Sequence, residues 1–132
     1  MISTLPYYNE ILVDIHNIVK KIADKRKIKC YGYWPHFDEI KETDTYIITG
    51  QHTIVNEFAG KHNDGYILRY TIHIFSRYKG YKKVNSIQNE ILDNNIFNIE
   101  GVAYGELAGT DSIIEDGEVA HVVINLDYYI LR

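Results

Sequence analysis

YILRYTIHIFSRYKGYKKVNSIQNEI, residues Tyr66 to Ile91, decides how this chain is built. Its first half alternates, with Tyr66, Leu68, Tyr70, Ile72 and Ile74 on one face and Arg69, Thr71 and His73 on the other. A period of two marks a strand with one buried face. After Ser76-Arg77-Tyr78-Lys79-Gly80 the period changes. Val84, Ile87 and Ile91 recur at spacings of three and four, with Lys82, Lys83, Asn85 and Asn89 outward, which predicts an amphipathic helix. Asp93-Asn94-Asn95 ends it. The stretch carries no catalytic group in a recognisable arrangement, so the expectation is a scaffold whose function lies in its surfaces and assembly.

Upstream, Ile11, Ile15, Ile18 and Ile22 form a stripe widened by Leu12 and Val19, which predicts a helix over residues 7–27. Ser3 and Thr4 are available as caps, and Pro6 is tolerated in a first turn. Six of the ten residues from Lys20 to Lys29 are basic, and positive charge near a helix C-terminus offsets the macrodipole. Cys30 to Trp34 reads as a short strand stopped by Pro35, followed by an acidic passage holding Asp38, Glu39, Glu42 and Asp44. Thr45 to Thr49 is β-branched and aromatic and reads as a strand entering Gly50. Gln51 to Phe58 continues the pairing after a bend, and Ala59 to Gly65 is dense in turn residues.

Downstream, Phe97 to Leu107 reads as a strand interrupted by Gly101 and Gly105, and Asp116-Gly117 signals a hairpin. The hairpin leads into Val119–Leu131, where Ala120, Val122, Ile124, Leu126, Tyr128 and Ile130 alternate with His121, Asn125 and Asp127. The order predicts one α+β domain over residues 1–132: two layers, a mainly antiparallel sheet with two amphipathic helices packed on one face.

At 132 residues the chain is of single-domain size and needs no disulfide or metal staple. The single cysteine, Cys30, has no partner for an internal bridge and reads as a small half-buried hydrophobe. No apolar run approaches the roughly 20 residues that span a bilayer, and the N-terminus lacks the pattern of a secretion signal. The formal net charge of −4 speaks against a general nucleic-acid binder, whose affinity comes from neutralising phosphates. Twelve tyrosines suit half-buried sheets and interfaces alike, since each offers an apolar body with a polar tip.

Signals for chemistry are weak. His52, His62 and His73 are spread over a strand, a loop tip and the outer face of a strand, without helical i, i+4 spacing or an accompanying cysteine. His73 and His121 come together if their strands are neighbours. Glu115, Asp116 and Glu118 flank a turn and are expected to be solvated. Phosphate loops, nucleophile elbows and dinucleotide fingerprints are absent, and Ser76 reads as a turn or cap residue. The expectation is a protein that is not an enzyme and takes no metal or cofactor.

Association has better candidates. The basic segment, with Lys25, Arg26 and Lys27, and the acidic one, with Asp38, Glu39 and Glu42, lie on either side of a short strand. Solvated surface is the plain explanation; a head-to-tail contact between copies, closing a ring, is the sharper one. The loop Ala59–Gly65, with Lys61, His62, Asn63 and Asp64, and the segment Gly109–Glu118, with Asp111, Glu115 and Asp116, are long enough to reach a partner and order on contact.

These residues together resemble the tail terminator, or tail-to-head joining, family of tail completion proteins from long-tailed bacteriophages. The resemblance covers most of the chain: the N-terminal amphipathic helix, the passage Tyr46–Gly50, the strand Thr71–Arg77 passing through Gly80 into KKVNSIQNEI, and the closing hairpin with HVVINLDYYILR. The junction Ile74-Phe75-Ser76-Arg77 with Gly80 is its most characteristic part. The resemblance implies a structural virion protein at the head-proximal end of the tail, assembled from the host cytoplasm as a ring, usually of six. Such a ring caps the tail tube protein and presents a face to the head connector or head-closure protein. DNA passes through its lumen without specific binding, and no membrane is involved. Six copies of a net-negative chain fit that passage, because such a ring does not trap DNA by counterion release. The alternatives are a head-closure or minor tail protein, a small cytosolic ligand-binding module, or a hydrolase whose residues converge only in three dimensions.

Overall fold

The computed structural model describes residues 7–58, 65–77, 80–115 and 118–131. The elements follow in the order α1 (Tyr8–Arg26), β1 (Lys29–Tyr31), α2 (Phe37–Ile40), β2 (Thr45–Phe58), β3 (Gly65–Ser76), α3 (Lys82–Leu92), β4 (Tyr104–Glu115) and β5 (Val119–Leu131). The five strands form one sheet in the order β1-β2-β3-β5-β4. β2 and β3 pair as an antiparallel hairpin, β5 returns antiparallel beside β3, and β4 pairs antiparallel with β5. β1 runs parallel to β2, so the sheet is mixed, where the sequence led us to expect a mainly antiparallel one.

The core explains the order. Ile11, Ile15, Val19, Ile22 and Ala23 of α1 meet Val84, Ile87 and Ile91 of α3 over one sheet face, with Tyr66, Leu68, Tyr70, Ile72 and Ile74 beneath them. Alternate residues of β5, from Ala120 to Ile130, complete the same cluster. The two long helices therefore share a face, as their stripes require. α2 departs from the expected pair of helices. It is a single turn whose Ile40 packs with Tyr46, Ile48 and Phe75, a small cluster on the opposite face.

Local chemistry sets the element ends. α1 stops at Lys27, whose left-handed φ of 59° lets its N–H reach the carbonyls of Ala23 and Asp24. Ser3, Thr4 and Pro6, the expected helix start, lie outside the described residues. β2 bends at Gly50, where φ is 92° and the ladder to β3 shifts register. A Cβ there would stand 2.5 Å from the Gly32 carbonyl oxygen, and the Gly50 N–H donates to the Tyr70 hydroxyl at 2.8 Å. Only glycine meets both demands.

Three boundaries differ from expectation. The first strand ends at Tyr31 rather than Trp34. The expected strand Phe97–Leu107 begins only at Tyr104; Ile96 and Ile99 are buried, but outside any helix or strand. Gly109 to Glu115, expected as a free segment, is paired along β5. Ser76 does not cap α3, whose N-cap is Tyr81; it is fully buried and shares a hydrogen bond with Thr45 at 3.1 Å.

Candidate functional site

The sheet face away from α1 and α3 carries two organised sets of polar groups. Antiparallel pairing puts Arg69 opposite Asp127 and Thr71 opposite Asn125. The Arg69 guanidinium donates twice to the Asp127 carboxylate, at 2.8 and 2.9 Å, and Thr71 Oγ1 donates to Asn125 Oδ1 at 2.8 Å. A bidentate pair of this kind is stronger and more directional than a single contact. The bond to Asp127 holds the Arg69 pKa above its ordinary value.

One step further along β3, a row of four groups crosses the sheet. His121 Nδ1 lies 2.9 Å from Glu115 Oε1, His121 Nε2 lies 2.9 Å from His73 Nδ1, and His73 Nε2 lies 2.6 Å from Gln51 Oε1. The carboxylate only accepts, so His121 Nδ1 carries a proton. If Gln51 accepts too, the proton between the imidazoles comes from His121 as an imidazolium. If the Gln51 amide turns and donates, His73 Nδ1–H supplies that proton and both rings are neutral. The two states differ by one proton and one amide turn. Burial, reinforced by the neighbouring His121, pushes the His73 pKa down to about 4, which holds that ring neutral near pH 7.

Aromatic rings enclose this row. Phe75 stacks on His121 with centroids 4.0 Å apart, Tyr46 stacks on Phe75 at 4.9 Å, and Trp34 leans over His73 at 4.8 Å. Trp34 is 57% exposed and Phe37 68%, so the aromatic cluster ends in open surface beside α2. Among the described residues no group of three metal-ligating side chains forms, and the two histidines bind each other and their neighbours.

The residues proposed from sequence are scattered. Lys25 and Arg26 both reach Glu90 on α3, at 3.1 Å for Lys25, and these cations hold the Glu90 carboxyl below its usual range. Lys27 is exposed at the end of α1. Asp38 pairs with Lys41 at 3.7 Å, while Glu39 accepts from the His36 backbone at 3.0 Å and from the Tyr33 hydroxyl at 2.8 Å. Glu42 is exposed in the turn before β2. Asp111 and Glu115 sit on β4, with Asp111 exposed. Lys61, His62, Asn63, Asp64 and Asp116 lie outside the described residues.

Sequence reasoning did not find Gln51, Trp34 and Phe75 as neighbours of the histidine pair. Only the alternation of β3 and β5 hinted at it, through the conditional closeness of His73 and His121. A shallow apolar groove of about 340 Å³ also went unread; it lies between α1 and the Gly50 bend, lined by Leu12, Val13, His16, Thr49, His52 and Tyr70. His16 Nδ1 and Thr49 Oγ1 are 2.6 Å apart there, and burial lowers the His16 pKa.

The chain matches no protein-family model and no curated protein. Among solved structures it is similar to a chain from the virion of a native gene transfer agent particle. The TM-score is 0.62 at 12% identity, over 89% of this chain and 92% of that one. The fimbrial biogenesis protein PilO from Pseudomonas aeruginosa is a weaker likeness, with a TM-score of 0.48 at 9% identity, over 98% of this chain and 74% of that one. The first likeness shows a shared fold that extends almost end to end over both chains.

Proposed function

We propose that this protein is a structural component of a phage-like virion, and specifically a tail terminator. In this reading, copies of the chain close into a ring, usually of six, at the head-proximal end of the tail. One ring face caps the tail tube, the other meets the head connector, and DNA passes through the lumen. The role is geometric and involves no catalysis. The observation that carries the reading is the near end-to-end fold likeness to a gene transfer agent virion chain. The family resemblance of the strand-to-helix junction at Ile74–Gly80 supports it, as does the concentration of exposed apolar side chains on β4.

Light scattering over a concentration series, with electron micrographs of the same samples and of mixtures with tail tubes, tests the reading. Open rings, alone or on tube ends, are the expected result. Particles that neither close into rings nor bind tube ends would overturn it. The groove beside His16 supports one reading of another class, a ligand-binding module. Such a module stays monomeric and gains thermal stability with a metabolite, because a ligand that binds only the folded state stabilises it by mass action.

A further inference from the structure

The two outer strands of the sheet differ in charge, and among the described residues neither pairs with a further strand. β4 closes one end of the order and β1 the other. Among the described residues, β4 pairs with β5 along one edge and nothing pairs with its second edge. The helices pack over β1, β2, β3 and β5, so β4 projects beyond the helical layer and most of its residues are exposed. Sheet proteins commonly protect such an edge with lysine, proline or a very short strand. β4 is twelve residues long, contains no lysine, arginine or proline, and exposes Leu107, Ile113 and Ile114. Its charged residues, Glu106, Asp111 and Glu115, are all acidic.

The opposite end is basic where β1 starts, while Asp38, Glu39 and Glu42 stand beyond it on α2 and the turn into β2. Lys29 stands in β1 and Lys27 just before it, both exposed. A recess of about 240 Å³ there is lined by Arg26, Lys27, Lys29 and Lys83, with Asp44 as its acidic member. β1 covers β2 only from Tyr46 to Ile48; at Gly50 the N–H and carbonyl are taken by the Tyr70 hydroxyl and the His52 ring, and beyond that bend no strand pairs with the outer edge of β2 among the described residues.

We propose that the acidic β4 edge of one copy adds to the basic β1–β2 edge of the next. The occupant of each edge is then a second copy of this chain, and the contact is head-to-tail because the two edges differ. Repetition gives a ring if the rotation closes and a filament if it does not. Backbone hydrogen bonds of strand addition supply affinity, while the charge difference excludes acidic-to-acidic pairing. The inference deepens the ring reading and rests on it.

Two charge-reversed variants test it. Thr110→Lys, Asp111→Lys and Ser112→Lys together turn the β4 edge from acidic to net basic, and Lys27→Glu with Lys29→Glu makes the β1 end acidic. All five positions are exposed, and unchanged circular dichroism and melting temperature establish that each variant folds. Each variant alone is expected to self-associate about 100-fold more weakly than the wild type, since like charges then face each other. Mixed in equal amounts, the two are expected to regain association, because each reversed edge now meets a complementary one. Wild-type rings that persist in both single variants would overturn the edge pairing while leaving the ring reading intact. A wild type that stops at a two-fold dimer, or stays monomeric at millimolar concentration and on tail tubes, would overturn both.

Discussion

β3 and β4 are both twelve-residue strands and both pair with β5, yet they differ in almost every other respect. Ten of the twelve β3 residues are buried, whereas none of β4 is. β3 lies at the centre of the sheet beneath both helices, so its apolar face is removed from water by α1 and α3. β4 lies beyond the helices, where its apolar groups remain available to another surface. Hydrophobic burial, which dominates folding free energy, is therefore concentrated in β3 and β5 and hardly present in β4. One strand maintains the fold, and its equal in length remains exposed.

That division predicts unequal responses to the same chemical change. Ile72→Ala in β3 empties space at a fully buried site and is expected to cost about 2–5 kcal/mol in urea denaturation. Ile113→Ala in β4, at a site 45% exposed, is expected to cost less than about 1 kcal/mol while weakening self-association. Equal losses at the two positions would mean that β4 is part of the folding core.

The open face of β3 offers a second way to sharpen the contrast, through protons. His73 titrates near 6.5 when unfolded and near 4 when folded, so between those values the unfolded chain binds more protons. Stability therefore falls as pH drops from 6.5 to 4, by up to about 3 kcal/mol from this group. His73→Leu is expected to flatten that part of the pH–stability profile relative to the wild type. A variant with the same slope would show that the paired imidazoles do not shape acid stability.

The contrast also marks how far the sequence could be read. β3, β5, α1 and α3 announce themselves because each buries one face, and burial imposes a period of two or 3.6 on apolar residues. β4 buries no residue on either face, so no alternation betrays it, and Gly105 is there because the Phe97 backbone packs closely against it. Ile96, Phe97 and Ile99 mislead for the opposite reason, being apolar residues that pack under the core from irregular turns. The parallel β1 is three residues long, too short for any period to declare its direction.

The candidate surfaces were legible to a lesser degree. Charge runs such as Lys20–Lys29 are visible in a sequence, but their partners are not. Glu90, which draws in Lys25 and Arg26, stands more than sixty residues away. The row from Gln51 to Glu115 needs four groups from four strands to meet, and sequence alone offers only the phase of each strand. The contrast between the acidic β4 edge and the basic start of β1 emerges only from the strand order, which places the two at opposite ends of the sheet.

Amide hydrogen exchange, compared between dilute protein and assembled particles, shows which strands join copies of the chain. Exchange reports which backbone groups are sheltered, strand by strand. Amides of β3 are expected to be protected already in dilute protein and to change little. Amides along β4 and along the outer edge of β1 and β2 should become protected on assembly. Particles that form while β4 exchanges as fast as before would contradict the account, because the open strand would then have no part in joining copies of the chain.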